Sequence, residues 1–104
     1  MNDTCTKCGE KYDGEGYLQL SHDVPRWMGG VDLDGRRYLC VKCHKNYDKQ
    51  VLNDCLSWIG LQRVEEEKDI IYWQKKLSGL TKINPGVIEP FQDIAKKNKV
   101  RWFG

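Results

Sequence analysis

The chain has 104 residues, of which 39% are hydrophobic and 31% charged, with a mean hydropathy of −0.70 and a formal net charge of +2. A chain this short builds one small domain with a limited core, so a metal staple is a plausible part of its stability. No apolar run is long enough to span a bilayer, which excludes a membrane-spanning helix.

The start, Met1-Asn2-Asp3-Thr4, lacks the basic and apolar segments of a secretory signal, so a cytoplasmic location is expected. The first element follows at once, in Cys5-Thr6-Lys7-Cys8, and it has a counterpart in Cys40-Val41-Lys42-Cys43. A Cys-x-x-Cys knuckle turns two thiolates toward one ion, and two knuckles complete a tetrahedral four-cysteine zinc site. Gly9 supports the first knuckle, because the residue leaving such a turn often needs a positive φ. A redox dithiol or a pair of disulfides would need a thioredoxin-like context or an oxidising compartment. Structural Zn²⁺ on Cys5, Cys8, Cys40 and Cys43 is therefore the expectation.

Between the knuckles, Gly16-Tyr17-Leu18-Gln19-Leu20 alternates as a strand does, and Arg37-Tyr38-Leu39-Cys40 reads as a second strand. The loop that joins them carries the breakers Pro25, Gly29, Gly30 and Gly35. From His44 the period becomes helical: Tyr47, Val51, Leu52, Cys55, Leu56 and Ile59 recur at spacings of three and four, and Gly60 bends or ends the helix. Cys55 reads as a buried, inert thiol. A second helix is expected over residues 64–77, with Ile70, Ile71, Trp73 and Leu77 on one face, Glu65-Glu66-Glu67 favouring its start and Gly79 as its C-cap. Pro85-Gly86 marks a turn, and a short last helix starts near Pro90, carrying Phe91, Ile94 and Ala95 inward. Residues 81–104 hold five Lys or Arg against two Asp or Glu, a basic tail able to neutralise a few phosphates or simply to lie solvated.

Knuckle, hairpin, knuckle, helix is the order of a treble-clef zinc finger. The expected class is α+β: a zinc-binding domain over residues 1–48, then a helical C-terminal extension over residues 49–104. Fold alone does not decide function, since many treble clefs only bind partners.

The segment Leu20-Ser21-His22-Asp23-Val24-Pro25-Arg26-Trp27-Met28-Gly29-Gly30, together with Tyr38-Leu39-Cys40-Val41-Lys42-Cys43-His44, resembles the signature of the HNH endonucleases. This is the ββα-metal or His-Me finger family, which includes phage nucleases of the recombination endonuclease VII type. The resemblance covers residues 5–48. It implies a treble-clef ββα-metal fold that hydrolyses DNA phosphodiesters, with His22 as the general base that activates water and His44 as a ligand of a catalytic divalent metal. Imidazole suits the first role because it titrates near neutrality. Mg²⁺ is the natural candidate for the metal, with Mn²⁺ or Zn²⁺ also compatible with an imidazole.

Two positions depart from the family pattern. Ser21 stands where many members place an Asp or His ligand, and Gly35 falls near the usual Asn. Asp23 or Asp34 is the expected substitute. Arg26 would grip a neighbouring phosphate, and Lys42, Lys45 and Lys49 would contact nucleic acid. Trp27 reads as loop packing, and Trp58 and Trp73 as core or dimer seam.

Two other readings stand beside the nuclease. One is a catalytically silent zinc module that binds a protein through the helices of residues 45–80, in a phage setting as a modulator of a host enzyme. The other is a nucleic-acid binder that does not cut. A homodimer would suit a double-strand cutter.

Overall fold

The computed structural model describes residues 4–11 and 18–104. It is an α+β structure with a two-stranded sheet and three helices. Strand β1 (Leu18–His22) pairs antiparallel with β2 (Arg36–Cys40), in a register that sets Leu18 opposite Cys40 and His22 opposite Arg36. Gly16 and Tyr17, expected at the head of the first strand, lie outside the described residues.

The loop between the strands is built from two single 3-10 turns, Arg26–Met28 and Asp32–Asp34. Its glycines are required by space as well as by φ. A Cβ on Gly30 would collide with the Val24 carbonyl. Gly35 has φ +110°, and a side chain there would collide with the Asp23 carboxylate, which explains why this position carries none.

β2 runs directly into α1 (Val41–Ile59), so the second knuckle occupies the strand–helix junction and the first turn of the helix. Helix α1 is the spine of the core: Tyr47, Val51, Leu52, Cys55 and Leu56 are buried as their spacing required, while Ile59, placed with them by spacing, is exposed at the end. Gly60 ends the helix in the left-handed region at φ +97°, its N–H returning to the Leu56 and Ser57 carbonyls. The buried Asn53 side chain then pins the connecting segment by exchanging two hydrogen bonds with the Val64 backbone, at 2.8 and 2.9 Å.

Helix α2 (Glu67–Ile83) differs from expectation at its far end. Gly79 does not cap it. The helix continues to Ile83 and stops at Asn84-Pro85, because Leu80 and Thr81 still find burial while Pro85 cannot extend the ladder. Ile71, placed with the inward residues by spacing, is exposed.

Helix α3 (Ile88–Phe103) is longer than the short helix expected and begins two residues earlier. It also packs back onto the rest of the chain. Phe91 and Ala95 are buried, and Gln92 Nε2 donates to the Met28 carbonyl at 3.1 Å. Trp102 and Phe103 lie against the Tyr47 ring, with centroids 5.4 and 5.6 Å away. A boundary at residue 48 therefore falls inside α1, and the basic tail is an ordered helix packed on the hairpin and α1. No helix among the described residues is long and apolar enough to cross a membrane.

Candidate metal centre and adjoining cleft

The first site is the cysteine cluster. The Sγ atoms of Cys5, Cys8, Cys40 and Cys43 lie within 4.8 Å of one another. A tetrahedral ion with Zn–S distances of about 2.3 Å needs sulfurs about 3.8 Å apart, so this donor set fits a metal of that size and preference. The backbone is shaped for it. Gly9 leaves the first knuckle at φ +77°, Gly9 N donates to the Cys5 carbonyl at 2.9 Å, and Cys43 N points at Cys40 Sγ at 3.4 Å.

Electrostatics prepares the thiols unequally. Burial alone would push the Cys5 thiol up, but hydrogen bonds from the Cys8, Cys40 and Lys7 backbones outweigh it and bring it down to about 6. Burial, then the neighbouring sulfurs, pushes Cys43 up, as expected of thiols crowded together without a cation. Cys55 stands apart. Burial, then Asp54, pushes it up to about 12, which makes it an inert core thiol.

The second site is an open cleft of about 260 Å³ between the hairpin and the helices. His22, at the end of β1, and His44, in the first turn of α1, both line it, with Arg26, Trp27, Asp48 and Gln74 around them. The two histidines are 22 residues apart in sequence and reach one cleft because the hairpin folds onto the start of α1. His22 also opens onto a wider neighbouring cleft rimmed by Arg26, Asp32, Leu33 and Arg36.

His22 Nε2 lies 2.8 Å from Asp32 Oδ1, and this contact holds the Asp32 carboxyl below its usual range. The other Asp32 oxygen is 3.4 Å from Arg36 Nη1. His44 is held from both sides: Nδ1 is 2.8 Å from Gln19 Oε1, and Nε2 is 3.2 Å from Asp48 Oδ2. The Asp48 carboxylate raises the His44 pKa against the opposing effect of burial.

The carboxylates expected to complete this site lie elsewhere. Asp23, 1% exposed, takes a two-point bond from Arg37 at 2.8 and 2.9 Å and faces Lys99 Nζ at 3.3 Å. Asp34 accepts the Val31 N–H at 3.1 Å, closing its own 3-10 turn. Ser21 is buried, its Oγ without a hydrogen-bond partner among the described residues. Asp32 and Asp48, which sequence reasoning misses, are the acids that touch the two histidines. Asp48 was legible as the residue four positions after His44 on a helix. Asp32 was not, since only the hairpin geometry brings it to His22.

The expected nucleic-acid contacts divide. Arg26 and Lys42 are exposed and have no ion pair among the described residues. Lys45 and Lys49 are committed to acids: Lys45 to Glu67, the first residue of α2, at 3.0 Å, and Lys49 to Glu65, just before that helix, at 2.8 Å. Trp27 is half-buried with its ring edge-on to Phe91, so it packs the loop while lining the cleft. No family model, characterised protein or solved structure matches the chain.

Proposed function

We propose that this protein is a small metal-dependent endonuclease of the HNH type, a ββα-metal treble clef built on a structural zinc, that hydrolyses DNA phosphodiesters. The observation that carries the reading is that His22 from the hairpin and His44 from the helix line one open cleft beside the exposed side chain of Arg26.

Within that cleft each residue has a definable task. An imidazole protonated at Nε2 donates that proton to Asp32 and leaves Nδ1 able to take a proton from an attacking water. Asp32 thereby fixes the ring and its tautomer and stabilises the imidazolium that forms. Arg26 offers a planar fork for the non-bridging oxygens of a phosphate. A divalent ion held at His44 would polarise the phosphate and offset charge on the leaving oxygen. A metal on the four cysteines would tie the N-terminal knuckle to the end of β2 and to the first turn of α1, where His44 stands.

The test is nicking of a supercoiled plasmid by the zinc-loaded protein in Mg²⁺, Mn²⁺ or EDTA, alongside His44→Ala. Cutting that requires added Mg²⁺ or Mn²⁺, and that His44→Ala loses with zinc content intact, supports the reading. Absence of cutting in every metal, from folded and zinc-loaded protein, overturns it.

A second reading has an observation of its own. Trp58, Ile59 and Leu61 are exposed together around the end of α1, an apolar surface suited to a protein partner or a second copy of the chain. On that reading the zinc domain is a scaffold for binding and the His22 cleft is silent.

A further inference from the structure

We infer that Asp48 is a protein ligand of the divalent ion, forming a two-point chelate with His44 Nε2, and that Gln19 sets the tautomer this chelate requires. Three features of the cleft converge on it.

The first is spacing. His44 Nε2 and Asp48 Oδ2 are 3.2 Å apart. Neighbouring ligands on an octahedral ion with bonds of about 2.1 Å lie about 3.0 Å apart, so the pair already stands at chelating distance. The two residues are one turn apart on α1, a rigid element, and chelation requires no backbone movement.

The second is the other ring nitrogen. A metal-binding imidazole needs a proton on the nitrogen that does not bind the metal, with an acceptor to hold it there. Gln19 Oε1, 2.8 Å from His44 Nδ1, is that acceptor, and its position on β1 fixes the ring plane. Nε2, the nitrogen that faces Asp48, is then the one left for a metal ion.

The third is access and proximity. Both side chains are part-exposed, 24% for His44 and 28% for Asp48, and both line the cleft that contains His22. Asp23 and Asp34 are engaged elsewhere, and among the described residues Asp48 is the acid in ion-pair contact with His44. Two protein ligands leave the remaining positions to water and to phosphate oxygens, which suits a hard, hydrated ion such as Mg²⁺ or Mn²⁺. What the ion does in cleavage rests on the endonuclease reading, whereas its binding at this pair does not.

The experiment is a titration of the full, zinc-loaded chain with Mn²⁺, following free aqueous ion by electron paramagnetic resonance. Wild type is compared with His44→Ala, Asp48→Asn and Gln19→Ala, and zinc content and far-UV circular dichroism establish that each variant is folded. The expected result is one Mn²⁺ site beyond the zinc, weakened on the order of tenfold or more in His44→Ala and Asp48→Asn, and by about tenfold in Gln19→Ala. Equal affinity in wild type and Asp48→Asn overturns the proposal and leaves the contact an ordinary helix ion pair. The plasmid assay separates the two claims. Mn²⁺ binding that depends on Asp48 without cutting upholds the site and rejects the nuclease. Metal-dependent cutting that survives Asp48→Asn upholds the nuclease and rejects the site.

Discussion

Asp23→Asn tests whether the residue after His22 is structural. The carboxylate is 1% exposed and receives both arms of the Arg37 guanidinium, with Lys99 Nζ at 3.3 Å. Asn fills the same volume but removes the charge and one of the two acceptors. Breaking a buried ion pair costs about 3–5 kcal/mol, because the partner is left uncompensated. Here the lower end applies. The Arg37 side chain is 21% exposed and stacks on Phe103 at 3.8 Å, so it keeps some hydration and a π-face. A loss of about 3 kcal/mol lowers the Tm of a domain of this size by about 12 °C or more. The assay is thermal unfolding at fixed excess Zn²⁺, since ligand binding otherwise moves Tm. Lys99→Met is the internal comparison: the Lys99 side chain is 37% exposed, and loss of its charge costs about 1 kcal/mol or less. An Asp23→Asn protein melting within about 2 °C of wild type would refute the reasoning, and would free Asp23 for another role.

Further outcomes follow from the geometry. On the endonuclease reading, Asp32→Ala removes the acceptor that orients His22, so it lowers kcat by about tenfold or more, a part of the roughly 10²–10⁴-fold a general base supplies, while KM stays unchanged; nitrogen-15 spectra of His22 report the altered tautomer directly, and an unaltered spectrum contradicts the assigned contact. Chelation of the zinc, or Cys8→Ser, detaches the knuckle from β2 and α1, visible as lost zinc content and lost near-UV signal. In the zinc-loaded protein at pH 8 iodoacetamide modifies none of the five cysteines, Cys55 included because burial pushes its thiol up to about 12, and rapid labelling of Cys55 would contradict its placement. Glu65→Gln with Glu67→Gln frees Lys49 and Lys45, so DNA affinity rises and the slope of log affinity against log salt steepens by about 2, one unit per released lysine; an unchanged slope removes those lysines from the DNA surface.

The parts legible in the sequence are those carried by local pattern. Cys-x-x-Cys spacing located the four sulfurs that the structure gathers, and the three-and-four period of Tyr47, Val51, Leu52, Cys55 and Leu56 located the spine of the core. Gly60 was readable as a helix end because the period stops there. Gly79 was not a cap, although it looked like one, because burial of Leu80 and Thr81 beyond it outweighs the modest cost of a glycine in a helix. The site divides in the same way. His22 and His44 were visible as a pair through their register with both knuckles. The partners of these histidines depend on tertiary placement: Asp32 arrives through the tip of the hairpin, and Asp23, adjacent to His22 in sequence, turns inward to Arg37 and Lys99. Lys45 and Lys49 looked like a free basic face because their acidic partners sit 22 and 16 residues later, at and just before the start of α2.

The most direct test of the central claim is the single-turnover nicking rate of zinc-loaded His22→Ala against wild type in Mn²⁺. The account predicts a loss of about 10²–10⁴-fold with zinc content, Mn²⁺ affinity and DNA affinity intact, since only the proton acceptor is removed. Equal rates in the two proteins would contradict it, and would show that any cleavage arises outside this cleft.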